Sequence, residues 1–326
     1  MEPDKRDGQI DVLRGFAIIG VIFIHSSFEH RFDQPTLLFC SFLSSFFDWA
    51  VLAFFFLSGL LLDEKQPVWG FLKKRFMSLL VPFWFYNLFY NLAFGVGRAI
   101  TGRQFGGHPW NPTLWWLAGF HSPAFQLYFL PYLFFSAVGL FCLCRMIDVR
   151  RHGWVFIAGF ALMVAFYQHV GWPDRSHGPE WTKLPLYAMA YLLGIAGRPV
   201  QWEKPRLPLV VSLLLLAVGT WFFRQPCLQS LAVLPILYLA VNAVHSLSKS
   251  KLFQKIGRCS GVIYYWHTPI MLPVFTIILA LCHVPPLANL LASVIMTVAV
   301  CIFFRQALEA AFKRFLKTKL PASIVP

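Results

Sequence analysis

Charged side chains are scarce in this sequence, and acidic ones are scarcer still. Only 13% of the 326 residues are charged, with 14 Asp and Glu residues against 28 Lys and Arg residues. A soluble globular domain carries about 25% charged and about 45–50% apolar residues, whereas 58% of this chain is hydrophobic. So few charges cannot cover that much apolar surface in water. The composition therefore excludes a soluble fold and predicts a protein that uses lipid as its solvent.

Patterned cysteines, repeats and linkers are also missing. The seven cysteines lie in or beside apolar runs, without the spacing of a zinc site or a disulfide framework. We therefore expect no metal. No internal repeat and no shift in composition divides the chain, so we expect a single polytopic domain over residues 1–326.

Long apolar runs are what the chain has in abundance. They fall roughly at 11–28, 37–62, 76–97, 125–146, 153–170, 184–197, 207–223, 228–246, 261–282 and 286–304. Several approach the ~20 residues that cross a hydrocarbon core of ~30 Å. They predict an all-α integral membrane protein with about ten transmembrane helices. The basic tail at 305–326 carries apolar residues at helical spacing, which indicates an amphipathic helix on the membrane surface.

The positive charges are distributed unevenly between the two sides of these runs. If the runs are helices, 22 of the 28 Lys and Arg residues fall on one side, and the excess alternates from loop to loop. The positive-inside rule makes that side cytoplasmic. We expect a multi-pass protein of the cell membrane, namely a bacterial inner membrane, with both termini and the basic tail in the cytoplasm. The net charge of +14 is then a topology signal, and we expect no nucleic-acid partner.

Three ionisable residues lie on one face of the first predicted helix. Arg14 and His25 are eleven residues apart, and eleven steps of ~100° return to within ~20° of the starting direction. Asp11 lies within ~40° of His25 by the same arithmetic. The rise from Arg14 to His25 is ~16 Å, which carries the polar stripe deep into the membrane. An ionisable group at such a depth indicates a functional site.

The stripe is compatible with more than one role. Arg14 could instead reach the lipid headgroups and pair with Asp11, leaving His25 as a packed interhelical histidine. A transporter could use the same residues as a proton or substrate path, and a non-catalytic partner in envelope glycan assembly would not need His25. Two other buried polar residues stay open: Asp48 could orient a histidine or stay protonated, and His267 is more simply a packed residue with satisfied hydrogen bonds.

Five stretches of the chain resemble the membrane acyltransferase-three family. They are Ile10–Ile18 followed by His25, Phe54–Gly59, Phe71–Phe76 leading to Pro82, Tyr128–Leu130 and Gly261–Ile270. The hallmark of the first is an Arg followed, after ten residues, by a His. The resemblance spans almost the whole chain, in the order the family shows. The family often has a second Arg three residues after the position of Arg75, whereas this chain has Ser78.

The resemblance implies an enzyme that transfers an acyl group, commonly acetyl, from cytosolic acyl-CoA to a sugar hydroxyl. It implies an O-acyltransferase whose partners are acyl-CoA, a carbohydrate or lipid-linked glycan acceptor, and the bilayer. His25 would be the base or acyl carrier, Arg14 would belong to the donor site, and Asp11 would hold Arg14. The basic cluster Lys73, Lys74 and Arg75 would bind the phosphates of the coenzyme.

Overall fold

A computed structural model describes most, but not all, of the chain. The described residues are 8–26, 32–102, 125–148, 184–196, 207–223, 229–245 and 249–319, with residues 152, 155, 158, 159, 162 and 247. All regular structure within them is helical, and they contain no strand. Most of the helix predicted at 153–170, and residues 320–326 of the predicted tail, lie outside this set.

Thirteen α-helices are described. They are α1 (Gly8–Ser26), α2 (Gln34–Phe46), α3 (Trp49–Leu60), α4 (Val68–Arg75), α5 (Val81–Thr101), α6 (Phe129–Met146), α7 (Leu184–Ala196), α8 (Leu209–Phe223), α9 (Gln229–His245), α10 (Lys251–Arg258), α11 (Ser260–Trp266), α12 (Leu272–Leu281) and α13 (Pro286–Lys319). A π-helical turn, Phe76–Leu80, joins α4 to α5, and a second, His267–Met271, joins α11 to α12. A short 3₁₀ turn, Phe125–Tyr128, precedes α6.

The prediction of an all-α, multi-pass membrane protein is confirmed for the described residues. Five helical stretches are long and apolar enough to cross a membrane: Gly8–Ser26, Gln34–Leu60, Val68–Thr101, Gln126–Met146 and Pro286–Ala307. Shorter apolar helices occur at Leu184–Ala196, Val210–Gly219, Pro235–Val244 and Leu272–Leu281. The total of ten transmembrane helices and the side of the membrane on which each terminus lies stay predictions.

Exposed apolar stripes run along several of these helices. On α5, the side chains of Phe85, Leu88, Leu92 and Val96 are 45–63% exposed, at intervals of three or four residues. Such spacing places them on one helix face. A continuous exposed apolar stripe is unfavourable in water, so this face is suited to lipid.

Two of the predicted helices are broken in the structure. The run at 37–62, which the sequence predicts as one long helix, is divided into α2 and α3 by a turn at Phe47 and Asp48. Asp48, expected in mid-span, therefore stands at the N-terminus of α3. Asp has low helix propensity, which favours a break at this point in an apolar run, but its side chain makes no capping hydrogen bond there.

The run at 261–282 is also broken, immediately after His267. Thr268 has extended backbone angles, φ −137° and ψ 147°. The residue before a proline is disfavoured in the α-region, and Pro269 follows Thr268. The late aromatic–His–Pro stretch thus forms a kink, with His267 at the end of its first arm.

One region predicted as a loop is helical. Residues 251–258, expected within a cytoplasmic loop, form α10, whose N-cap Ser250 accepts a hydrogen bond from the Phe253 amide. The basic tail, predicted to be an amphipathic helix, is helical as far as Lys319 and continues α13 from Pro286 without a break.

The chain forms two compact units. One consists of Met1–Ser44 with Ser250–Pro326, and the other of Ser45–Lys249. In the second unit, α3 and α7 meet through glycines: a Cβ on Gly59 would overlap the carbonyl oxygen of Tyr191, and one on Gly194 would overlap that of Phe56. Small residues allow helix backbones to approach in this way in membranes.

Buried polar groups join α12 to α13 in the first unit. The Asn289 amide donates to the Thr276 carbonyl at 3.0 Å, and the hydroxyls of Thr276 and Ser293 lie 3.3 Å apart. Within α13, the Ser293 hydroxyl donates to Asn289 Oδ1 at 3.0 Å. All three residues are at most 2% exposed. Hydrogen bonds of this kind hold membrane helices together and stabilise the arm that follows the His267 kink.

Candidate functional site

The predicted stripe on α1 is one continuous helix face within the first unit. Gly8–Ser26 is helical throughout, so the angular relation inferred for Asp11, Arg14 and His25 holds. Asp11 is completely buried, and the Arg14 side chain is 24% exposed. The stripe therefore faces protein at Asp11.

Asp11 pairs with Arg258 as well as with Arg14. The Arg258 Nε donates to Asp11 Oδ2 at 3.0 Å, whereas the Arg14 Nη1 lies 3.8 Å from Asp11 Oδ1. That Asp11 holds Arg14 stays a prediction, and the structure adds Arg258 as a hydrogen-bonded partner of the same carboxylate. A hydrogen-bonded ion pair is stronger than one beyond hydrogen-bonding distance. One carboxylate thus contacts two guanidinium groups.

Two glycines bring Arg258 to Asp11. A Cβ on Gly257 would overlap the carbonyl oxygen of Asp11, and a Cβ on Gly15 would overlap that of Phe253. The backbones of α1 and α10 consequently touch. Arg258, the last residue of α10, is held beside Asp11 by this contact while its side chain stays 51% exposed.

His25 lies next to His267. Their ring centroids are 5.1 Å apart, with the ring planes at 44°. His267 is completely buried, and the centroid of the Tyr264 ring lies 6.1 Å from that of His267. The deep end of the α1 stripe is therefore a pair of imidazoles.

The predicted donor-binding cluster lies in the second unit, on α4. Lys73, Lys74 and Arg75 form the last turn of this helix, and both lysines are exposed. The Arg75 guanidinium carbon lies 5.5 Å from the centre of the Phe71 ring. A guanidinium over an aromatic face is held by a cation–π interaction, which restricts its orientation.

A second arginine repeats this arrangement beside the first. The Phe71 ring stacks on Phe141 at 4.1 Å and 12°, and the Arg145 guanidinium carbon lies 5.3 Å from the Phe141 ring centre. Arg145 also donates to the Gln66 carbonyl at 2.6 Å. Two arginines are thus anchored at a stacked phenylalanine pair, and Arg145 adds to the cluster that the sequence indicated.

Metal ligation has no structural support among the described residues. They contain no group of three or more His, Cys, Asp and Glu side chains that could hold a metal ion. The imidazoles of His25 and His267 offer general acid–base chemistry, and the guanidinium groups of Arg14 and Arg258 offer anion binding.

The long apolar helices with exposed apolar stripes define a multi-pass membrane protein. Its first unit contains a polar site, formed by an imidazole pair and an Asp–Arg cluster along the same face of α1. The family model described as "Acyltransferase domain" (Acyl_transf_3) matches residues 7–306. The chain therefore belongs to this acyltransferase family, as its sequence motifs predicted. Comparisons with curated proteins and with solved structures give no significant match.

Sequence reasoning missed two contacts of this site. In the sequence, Arg258 is one of many positive charges and indicates only the side of the membrane. The pattern around His267 predicts a packed residue. The signals that could have found the two contacts are the glycines at positions 15 and 257, which favour close helix contact, and the His–Thr–Pro order that ends a helix at His267.

Proposed function

We propose that this protein is a membrane O-acyltransferase that moves an acyl group from cytosolic acyl-CoA to a hydroxyl of a sugar or lipid-linked glycan at or beyond the membrane. Acetyl is the acyl group that the resemblance favours. The observation that carries the proposal is the partly buried imidazole of His25, on the same helix face as Arg14 and Asp11 and beside His267.

His25 is the group we assign to the chemistry. In the simplest reaction, its neutral imidazole removes the proton of the acceptor hydroxyl, and the oxygen attacks the thioester carbonyl carbon. The carbon–sulfur bond then breaks, and the departing thiolate takes the proton from the imidazolium. A route in which the imidazole itself carries the acyl group uses the same residue.

The arginines provide positive charge for an anionic donor. Arg14 and Arg258 both contact Asp11, and we assign their guanidinium groups to hold a phosphate or stabilise developing negative charge. In the second unit, Arg75 with Lys73 and Lys74 is suited to the coenzyme phosphates, because guanidinium groups bind phosphate through two parallel donors. Arg145, anchored like Arg75, extends that basic surface.

The test is transfer of label from radioactive acetyl-CoA in inverted membrane vesicles from cells that express the full chain. Label should enter the membrane glycan fraction with the wild-type protein. His25→Ala should insert normally and lose at least ~10²-fold of this transfer, because general-base catalysis contributes about 10²–10⁴-fold. Rates are normalised to the protein detected in the membrane.

A matched control is His283→Ala, which replaces an exposed histidine of the same unit and should transfer normally. Near-wild-type transfer by His25→Ala would contradict the mechanism and favour the transporter or the non-catalytic partner. Failure of the wild-type protein to transfer label would contradict acetyl-CoA as the donor.

A further inference from the structure

The two ring nitrogens of His267 have different surroundings. Its Nδ1 lies 3.1 Å from the Ile263 carbonyl oxygen and 2.9 Å from the Tyr264 carbonyl oxygen. Carbonyl oxygens only accept hydrogen bonds, so Nδ1 carries the proton. In the neutral ring Nε2 then has a lone pair directed away from the helix backbone.

The Nε2 of His267 is buried and has no hydrogen-bond partner among the described residues. A buried polar atom left unsatisfied costs about 1–3 kcal/mol. Such an atom in a native structure needs an explanation, and catalytic roles are among the common ones. The bonds at Nδ1 explain how His267 is held in place, but they do not explain this nitrogen.

The neighbour of this ring is His25, at a centroid distance of 5.1 Å. His267 is fixed by its two backbone bonds and by the kink that follows it at Thr268, so its ring orientation is set by the fold. A base in an active site is commonly oriented by a third group that accepts a hydrogen bond from its second nitrogen. Hydrogen bonds of this kind often tighten only when substrate binds.

We propose that His267 is a positioning residue for the acyl transfer, acting through His25. Its Nε2 accepts a hydrogen bond from one ring nitrogen of His25, which directs the other nitrogen toward the acceptor hydroxyl. The same bond stabilises the imidazolium that forms when His25 takes up the hydroxyl proton. No proton is transferred to His267. This inference rests on the function proposed above.

Two amide substitutions distinguish the roles of the two ring nitrogens of His267. In His267→Asn, the amide nitrogen can take the place of Nδ1 and donate to the carbonyls of Ile263 and Tyr264, but nothing occupies the position of Nε2. In His267→Gln, the longer side chain brings an acceptor oxygen to the position of Nε2 and leaves the Nδ1 position empty. A role confined to packing predicts that Asn is the better replacement, and the proposed role predicts that Gln is.

The experiment measures acetyl transfer at saturating acetyl-CoA and the apparent KM for acetyl-CoA in the vesicle assay. Thermal unfolding of the purified full-length variants is measured in parallel. We expect His267→Asn to unfold near the wild-type temperature, with kcat lowered about 100-fold and the donor KM unchanged. His267→Gln should retain more of the wild-type kcat than His267→Asn.

A kcat for His267→Asn equal to or above that of His267→Gln would overturn the inference. If His267→Asn does not accumulate, His267→Gln is compared with His267→Met, which fills similar space but has no comparable acceptor, and equal rates for these two would overturn it. An active His267→Asn together with an inactive His25→Ala would refute the role of His267 while leaving the proposed function intact. An active His25→Ala would refute both.

Discussion

At the scale of single residues, some basic groups that report topology are also held in place by a neighbouring side chain. Arg75, Arg145 and Arg258 all fall on the predicted cytoplasmic side, where positive charges are expected in any membrane protein. The structure distinguishes them by their partners: an aromatic ring for the first two and a buried carboxylate for the third. Restricted guanidinium groups are better suited to binding phosphate than freely moving ones, because less conformational freedom is lost on binding.

The donor role of the α4 cluster predicts a specific kinetic defect. Replacing Arg75 with Ala should raise the apparent KM for acetyl-CoA about 10-fold or more, since a hydrogen bond to a charged group contributes about 1.5–3 kcal/mol. Arg75→Lys should fall between Ala and wild type, because it keeps the charge and loses the planar fork. The measurement is the dependence of transfer on acetyl-CoA concentration in inverted vesicles.

Lys65→Ala is the matched control, because Lys65 is an exposed cation on the same predicted side that precedes α4. It should leave the donor KM unchanged. An unchanged KM in Arg75→Ala would assign the α4 cluster to topology alone, an outcome consistent with Ser78 standing where the family often has a second Arg.

At the scale of helices, the site depends on the contact between α1 and α10. The two helices carry Asp11 and Arg258, and their backbones meet at Gly15 and Gly257. In a soluble protein, burial of apolar side chains would drive such a contact. Between membrane helices the apolar effect is largely absent, so close backbone packing and polar pairing hold them together.

This contact predicts that Gly257→Ala destabilises the protein. The added methyl would overlap the backbone oxygen of Asp11, which cannot move without displacing α1. We expect a loss of roughly 1–3 kcal/mol of unfolding free energy, as for other overpacked sites, with acetyl transfer reduced in parallel. Thermal unfolding of the purified protein in detergent measures the change.

Gly261→Ala provides the control, because a Cβ at this helical glycine of the same unit would meet nothing within 4 Å. Alanine should raise helix stability there, by up to about 1 kcal/mol. Equal unfolding temperatures for Gly257→Ala and Gly261→Ala would show that α1 and α10 do not depend on the glycine contact.

At the scale of the whole molecule, the distribution of charge predicts both the number of membrane crossings and the orientation. Among the described residues, five stretches are long enough to span a membrane and four further apolar helices are shorter. The alternation of Lys and Arg between loops predicts about ten crossings. Short helices can still cross part of a membrane when they are packed within protein, as most of α7 is, since all its residues from Leu186 to Ile195 are buried.

The orientation can be tested with an impermeant thiol reagent. Single cysteines are placed in the full chain after its seven natural cysteines have been replaced. Cysteines within 98–124 and 171–183 should be labelled in intact cells, and cysteines within 64–75 and 247–258 should be labelled only after the membrane is opened. The reverse labelling pattern would show that the predicted orientation is wrong. The basic cluster on α4 would then face away from the cytosol and could not bind a cytosolic donor.

Features that depend on neighbours along the chain follow from the amino-acid sequence alone. Hydropathy predicted the long apolar helices, because crossing lipid requires a continuous apolar run whose backbone bonds are satisfied internally. It did not predict α10 or the breaks at Asp48 and Thr268. Helical periodicity alone places Asp11, Arg14 and His25 on one face, since the positions in a single helix follow from its 3.6-residue turn. The ordered motifs indicated the acyltransferase family, which the match over residues 7–306 bears out.

The groups that these residues contact depend on how distant segments pack together. Asp11 is bonded to Arg258, 247 residues away along the chain, and His25 lies beside His267 in a distant segment. No local periodicity relates residues so far apart. Their contacts follow from the packing of α1 against α10 at two glycines and from the kink at Thr268, where helix geometry ends. The stripe on α1 is thus a local property of the sequence, whereas its second arginine and second imidazole are contributed by the fold.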